Sequence, residues 1–118
     1  MPLQIQDYLV TFAASGARDP VVGTIVASPD AVPIWEKDAN TNQFYEVQPP
    51  YTRSAQSRSS DGQYTLYLPW PSETDPSTAQ WTVKLPDGYA WKGAVPEGVV
   101  GPVTLKTLKD SYGWQRVT

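Results

Sequence analysis

Short runs of alternating apolar and polar residues, separated by turn-forming residues, recur along the 118-residue chain. Successive side chains of a β-strand point to opposite faces, so this alternation is typical of strands that bury one face. The clearest run spans residues 63–68, where Tyr64, Leu66 and Leu68 share one side and polar or aromatic residues occupy the other. We predict a strand here with its apolar side buried.

A second strong pattern predicts a β-hairpin. Residues 80–85 alternate with Trp81 among the inward positions, and residues 89–95 form a second run that contains Trp91. The connection is Pro-Asp-Gly at residues 86–88, in which Pro presets φ and Gly accepts a positive φ. Both tryptophans are expected in the core.

Four weaker runs complete the strand prediction. Pro33 makes its run an edge or irregular strand, and Gly23 marks a bulge or a close backbone approach. Near the end of the chain, the apolar spacing favours a strand followed by one helical turn, and it fits a full helix less well. The weaker strand runs are residues 5–12 (with Tyr8, Val10 and Phe12 on one face), 21–27, 31–36 and 43–47, and the last segment is residues 103–112.

Residues 52–60 read Thr-Arg-Ser-Ala-Gln-Ser-Arg-Ser-Ser and contain almost no apolar side chain. A segment of this composition is predicted to be a long loop, either a mobile excursion or a stretch that is ordered only by a neighbour.

Composition agrees with an all-β chain, since 12 Pro, 5 Trp and 7 Tyr accompany many Val and Thr. We predict one antiparallel β-sandwich of about six to seven strands, with long polar loops and at most one helical turn near the C-terminus. The whole chain, residues 1–118, is expected to be one domain. Its core would lie in about residues 20–108, with an N-terminal strand at 4–12 and a short C-terminal tail.

Charge and missing residue types narrow the function. Nine Lys and Arg against 12 Asp and Glu give a net charge of −3, so binding to nucleic acid or to an anionic membrane surface is not expected. No apolar run is long enough for insertion into a membrane. The chain has no Cys and no His, which removes thiolate and imidazole chemistry. We therefore expect a non-enzyme with no catalytic residue, cofactor or metal site. No signal peptide or transmembrane segment is predicted.

Surface aromatic residues are the leading candidates for recognition. Trp70 between two prolines, and Trp35 on the irregular edge, could present a ring to a sugar or a protein neighbour, with Tyr51 extending a sugar platform. Trp70 could equally be a plug that anchors its loop. Arg53 and Arg58 offer planar forks for a carboxylate or phosphate, although arginines in polar loops are usually only solvated.

The order of these parts resembles the prealbumin-like (transthyretin-like) sandwich modules of minor tail and other virion structural proteins of tailed bacteriophages. The resemblance covers about residues 20–108. Its motifs are Pro-Val-Val-Gly at 20–23, Asp-Gly-Gln-Tyr-Thr-Leu-Tyr-Leu-Pro at 61–69, the hairpin with Pro-Asp-Gly at 86–88, and Val-Pro at 95–96.

This resemblance implies a non-enzymatic virion part, assembled in the host cytoplasm, that serves as a tail or capsid adaptor, decoration or attachment domain. Its expected partners are other virion proteins and copies of itself in a homo-oligomer, with a host-surface glycan as a further partner in an attachment role. The alternative function is a carbohydrate-binding β-sandwich module that uses surface aromatics.

Overall fold

A computed structural model describes residues 2–31, 33–38, 40–47 and 52–117. Within these ranges the chain forms twelve strands, one α-helix and one short 3₁₀ helix at Pro71–Glu73. The elements are β1 (Leu3–Tyr8), β2 (Val10–Phe12), β3 (Arg18–Pro20), β4 (Thr24–Pro29), β5 (Trp35–Lys37), β6 (Phe44–Glu46), β7 (Arg53–Gln56), β8 (Gln63–Leu68), β9 (Thr74–Asp75), β10 (Trp81–Lys84), β11 (Ala90–Gly93), α1 (Leu105–Tyr112) and β12 (Gln115–Arg116).

The main sheet has five antiparallel strands in the order β12-β11-β10-β4-β7. A second layer is the antiparallel pair β1–β8, which residues 100–103 extend on the β1 side. There the amide of Gln4 donates to the carbonyl of Val100 at 2.8 Å, and the amide of Gln6 donates to that of Val103 at 2.9 Å. Two small sheets, β2–β3 and β6-β5-β9, complete the all-β architecture.

One hydrophobic core joins the two layers. The main sheet contributes side chains such as Ile25 and Val83, and the β1–β8 pair contributes Leu3, Ile5 and Leu66, all with at most 1 % exposure. Burying such side chains is the main driving force for folding. Among the described residues, no helix has the length and apolar character to cross a membrane.

The two strongest sequence predictions are confirmed. Strand β8 has the predicted bounds, and its apolar residues Tyr64, Leu66 and Leu68 are buried. β10 and β11 pair as the predicted hairpin, whose turn residue Gly88 has a φ of 96°. Trp81 is buried, and Trp91 is half-buried and packs against the core.

The prediction of a loop over residues 52–60 is wrong in its first half. Arg53–Gln56 forms β7, which pairs with β4 at the edge of the main sheet. The strand alternates between half-buried and exposed positions, and Ala55 is its one apolar residue. Pairing with the backbone of β4, rather than an apolar pattern of its own, places this segment in the sheet.

The first predicted strand, residues 5–12, is interrupted in the structure. Leu9 is buried between β1 and β2, and the inward residues of β1 are Leu3 and Ile5. The predicted shared face of Tyr8, Val10 and Phe12 is therefore not the core face, because Tyr8 is 45 % exposed and Phe12 is 68 % exposed. Interruptions of this kind also raise the strand number above the predicted six to seven.

The C-terminal segment is more helical than predicted. Helix α1 has eight residues, about two turns, where at most one helical turn was expected. The hydroxyl of Thr104 caps its start by accepting from the amide of Thr107 at 3.2 Å, and Gly113 ends it with a φ of 72°. Leu105 and Leu108, three positions apart, lie on its buried face.

Candidate binding surfaces

Trp70 is held in place by contacts within the chain. Its indole N–H donates to the carbonyl of Val99 at 2.8 Å, and its half-buried ring packs against the core. A bound N–H and a packed ring leave less of this side chain for a ligand. This position fits the loop-anchoring interpretation of Trp70 better than the recognition interpretation.

Arg53 is also committed to a partner within the chain. Its guanidinium forms an ion pair with both carboxylate oxygens of Glu36, in β5. The Glu36 side chain is 8 % exposed and that of Arg53 is 34 % exposed. A carboxylate buried to this degree needs a charged partner. Arg53 thus binds a carboxylate, as its fork geometry suggested, but the carboxylate belongs to this chain.

Arg58 has a similar arrangement at the surface. Its Nε donates to Oδ1 of Asp61 at 3.1 Å, and its terminal nitrogen donates to Oδ2 at 2.5 Å. The amide of Gln63 donates to the same Oδ1 at 2.9 Å. Hydrogen bonding by Arg58 lowers the pKa of Asp61 below its ordinary value, and the same contact raises the pKa of Arg58. Asp61 is therefore a carboxylate at neutral pH.

Trp35 lies on an exposed face of the small sheet β6-β5-β9. Residues directly opposite in an antiparallel pair point to the same side, so Trp35 shares its side with Glu46 and Asp75. Lys37 and its partner Phe44 lie on this side too. Trp35 is 38 % exposed and Phe44 is 43 % exposed. We call this surface, defined by these five residues, the Trp35 face.

The opposite side of the same sheet is buried in β5 and β9, while Tyr45 of β6 on that side is 50 % exposed. Glu36 and its partner Thr74 are 6 % and 5 % exposed. The ion pair between Glu36 and Arg53 therefore braces the inner side of β5 against β7 while Trp35 points away from it.

A surface cleft of about 390 Å³ lies where the end of β1, the β2–β3 hairpin and the turn before β8 meet. We call it the Tyr8 cleft. Its walls carry an aromatic ring, apolar side chains, a hydroxyl and one group of each charge. The lining residues are Tyr8, Val10, Arg18, Pro20, Ser60 and Asp61.

Two further carboxylates accept hydrogen bonds from nearby backbone amides in turns. Oδ1 of Asp87 accepts from the amide of Tyr89 at 3.0 Å, and Oδ1 of Asp38 accepts from that of Asn40 at 2.7 Å. In the part of the chain that the structure describes, no three acidic residues gather as a metal site would require.

The four sequence candidates that lie in the described residues are not bonded to one another. Tyr51 lies outside the described residues. No hydrogen bond or ion pair joins any two of Trp35, Trp70, Arg53 and Arg58 in the described ranges; each of the last three bonds to another part of the chain.

Sequence reasoning missed two groups of residues. Phe44 sits beside Trp35 only because β5 and β6 pair, and the short run at 43–47 gave no sign of that register. Tyr8 and Arg18 belong to different sheets, and both line the same cleft as Asp61. The available signal was the polar stretch ending in Ser60-Asp61-Gly62, which marks a tight turn at the start of β8.

Comparison with protein-family models, with curated proteins and with solved structures finds no match to this chain.

Proposed function

We propose that the chain is a non-enzymatic virion structural protein of a tailed bacteriophage, an adaptor, decoration or attachment domain of the tail or capsid. In this proposal it binds copies of itself and other virion proteins through the Trp35 face. The motif order described for residues 20–108 supports the virion assignment, and the Trp35 face is the observation that supports binding.

The Trp35 face has the composition of a protein interface. Two large aromatic rings, those of Trp35 and Phe44, lie on one side of neighbouring strands. Charged residues surround them, namely Lys37, Glu46 and Asp75. Aromatic residues at the centre and a polar rim are the arrangement that binding surfaces favour.

The edge of the same sheet strengthens this argument. β6 is an outer strand of its sheet, and all three of its residues are exposed. An outer strand has backbone groups on one side that are free to pair with another chain. A second copy could therefore be recognised by its backbone and by the two rings together.

Native mass is the test of this proposal. Light scattering coupled to size exclusion, over a range of protein concentrations, should give a defined oligomer for the unaltered chain. Trp35→Ser and Phe44→Ser should each shift that species towards the monomer, because each removes one ring from the centre of the face. Tyr67→Ser is the matched control, since Tyr67 is a 50 % exposed aromatic residue on β8, away from this sheet.

Two results would contradict the proposed role, and a third would contradict the proposed contact surface. One is a monomer at every concentration up to about 1 mM, which corresponds to association weaker than about −4 kcal/mol. The other is a hydrolase activity that disappears when one carboxylate is substituted. Equal mass changes in Tyr67→Ser and Trp35→Ser would show that the Trp35 face is not the contact.

The alternative of a carbohydrate-binding module built on Trp70 and Trp35 has less support. The indole N–H of Trp70 is bound to Val99 and its ring packs on the core, so less of this side chain is left for a sugar.

A further inference from the structure

The Tyr8 cleft is built from parts that hold one another in position. Tyr8 is the last residue of β1 and pairs with Gln63, the first residue of β8. The side-chain amide of Gln63 donates to the Tyr8 hydroxyl at 3.3 Å. Behind them, the amide of Leu9 donates to the carbonyl of Gly62 at 2.8 Å. These bonds fix the aromatic wall against the turn that carries Ser60 and Asp61.

Gly62 allows the turn to come this close. Its φ is 78°, and a Cβ at this position would collide with the carbonyl of Leu9. Only glycine combines this backbone conformation with so close an approach. The cleft wall is thus specified by the sequence, and it does not depend on a mobile loop.

The opposite wall is the β2–β3 hairpin. Val10 and Pro20 are paired across it and give this wall its apolar surface. The guanidinium of Arg18 lies over the Tyr8 ring, 5.6 Å from the ring centroid. No carboxylate in the described ranges forms an ion pair with Arg18, so its donors remain open to a ligand.

The charges in the cleft argue against a charged ligand. An anion attracted by Arg18 would also lie against the Asp61 carboxylate, whose charge the ion pair with Arg58 offsets only in part at this exposed position. A cation attracted by Asp61 would in turn lie against Arg18. A wholly apolar ligand would cover Asp61 and Ser60 without bonding to them, which costs free energy.

We propose that the Tyr8 cleft binds a neutral saccharide. An unsubstituted sugar offers a hydroxyl to donate to the Asp61 carboxylate and lone pairs to accept from Arg18 and Ser60. Its C–H face can lie on Pro20 and on the part of the Tyr8 ring that Arg18 leaves exposed. The cleft volume of about 390 Å³ is within the range of ordinary small-molecule sites and at its lower end. This site is separate from the Trp35 face and stands independently of the proposed role in assembly.

The test is a titration of the ¹⁵N-labelled full chain, followed by amide chemical shifts. The probes are maltotriose, cellotriose, lactose and triacetylchitotriose as neutral saccharides, with 3′-sialyllactose and inorganic phosphate as anions. At least one neutral probe should bind, with a Kd of about 0.1–10 mM, a range expected for a shallow polar site. The shifted amides should be those of Tyr8, Arg18, Ser60 and Asp61.

Two variants connect binding to the cleft. Tyr8→Ala should weaken the neutral saccharide by about tenfold or more, since it removes the aromatic wall. Tyr89→Ala is the matched control, because Tyr89 is 47 % exposed and carries Arg116 at 5.0 Å over its ring but lines no part of the cleft. If Tyr8→Ala does not fold, Asp61→Asn keeps an acceptor for the amide of Gln63 and should also lose about tenfold, the worth of a hydrogen bond to a charged group.

Three results would overturn the proposal. The first is no shift at the cleft amides with any neutral saccharide up to about 20 mM, which leaves no affinity of useful size. The second is stronger binding of sialyllactose or phosphate than of every neutral probe. The third is neutral binding that Tyr8→Ala and Tyr89→Ala weaken equally.

Discussion

The packing of Gly93 against Trp114 yields a quantitative prediction. Gly93 lies in β11, opposite Trp81 of β10. A Cβ added to Gly93 would lie 2.5 Å from Cδ1 and Cγ of Trp114 and 2.6 Å from its Cδ2. The Trp114 ring is 2 % exposed, and its Nε1 donates to the carbonyl of Ala94 at 2.9 Å. The ring therefore cannot move away without losing burial or a hydrogen bond.

The expected size of the effect follows from these distances. Carbon atoms in contact stay about 3.5–4.0 Å apart, so Gly93→Ala must displace the ring by about 1 Å. Overpacking of this kind costs about 1–3 kcal/mol, and complete loss of the buried ring would cost about 3–5 kcal/mol. Without the ring, the same substitution should stabilise the strand by about 0.5–1 kcal/mol, because Ala restricts the unfolded chain more than Gly does.

The assay is a double-mutant cycle of Gly93→Ala and Trp114→Leu, with free energies of unfolding from urea titrations followed by circular dichroism. Gly93→Ala should destabilise the unaltered chain by about 1–3 kcal/mol and be neutral or stabilising in the Trp114→Leu background. The coupling energy should then be about 1–4 kcal/mol. The same loss in both backgrounds, with a coupling below about 0.5 kcal/mol, would refute the packing argument.

Two further predictions concern buried ionisable groups. Arg53→Met should lower the free energy of unfolding by about 1–3 kcal/mol, because it leaves the Glu36 carboxylate buried without a charge partner. Adding Glu36→Gln to the Arg53→Met variant should recover part of this loss. Urea titration measures both effects, and a loss below about 0.5 kcal/mol for Arg53→Met would contradict the role of the ion pair. Burial raises the pKa of Tyr64, so the stability that it contributes is full below the unfolded pKa of about 10 and is lost as pH rises towards the folded value. Melting temperatures between pH 9 and 11 should fall more steeply for the unaltered chain than for Tyr64→Phe, and identical slopes would contradict this.

Sequence patterns predicted those strands whose structure is determined by residues that are close together in the sequence. β8 alternates because one side faces the core and the other faces solvent, so its register is visible in six residues. The β10–β11 hairpin carries its turn chemistry in the chain, with Gly88 at the position that needs a positive φ. In both cases the residues that make the structure are neighbours in sequence.

The elements that were missed depend on distant partners. β7 has no apolar alternation, and its strand conformation comes from pairing with β4 and from the ion pair of Arg53 with Glu36 in β5. Trp114 lies in the segment that was predicted to be a short C-terminal tail, yet its ring is buried against Gly93 of β11. Helix α1 is the exception, because Thr104 and Gly113 are ordinary capping signals that the sequence did contain.

The candidate binding residues also divide into features that local sequence predicts and features that depend on distant partners. Exposure of Trp35 was expected from a place on an edge or irregular strand, and Trp35 is exposed. The edge position is wrong, because β5 pairs with β6 on one side and with β9 on the other. The neighbours that would make it part of a surface, Phe44 and the charged rim, depend on the pairing of three short strands. A strand of two or three residues carries too little pattern to reveal its register.

The two arginines of residues 52–60 contribute to the fold of this chain rather than to recognition of a partner. Arg53 and Arg58 each bind a carboxylate of the chain itself, so their charges serve to fix β7 against β5 and to shape the turn before β8. What these ion pairs leave at the surface are the aromatic rings of the Trp35 face and the mixed lining of the Tyr8 cleft. The Tyr8 cleft has one group of each charge, so a strongly charged ligand would find no net opposite charge there to offset its loss of water. The proposal of a neutral saccharide follows from that property, whereas the proposal of a second copy of this chain depends on the two rings of the Trp35 face and on the outer strand β6.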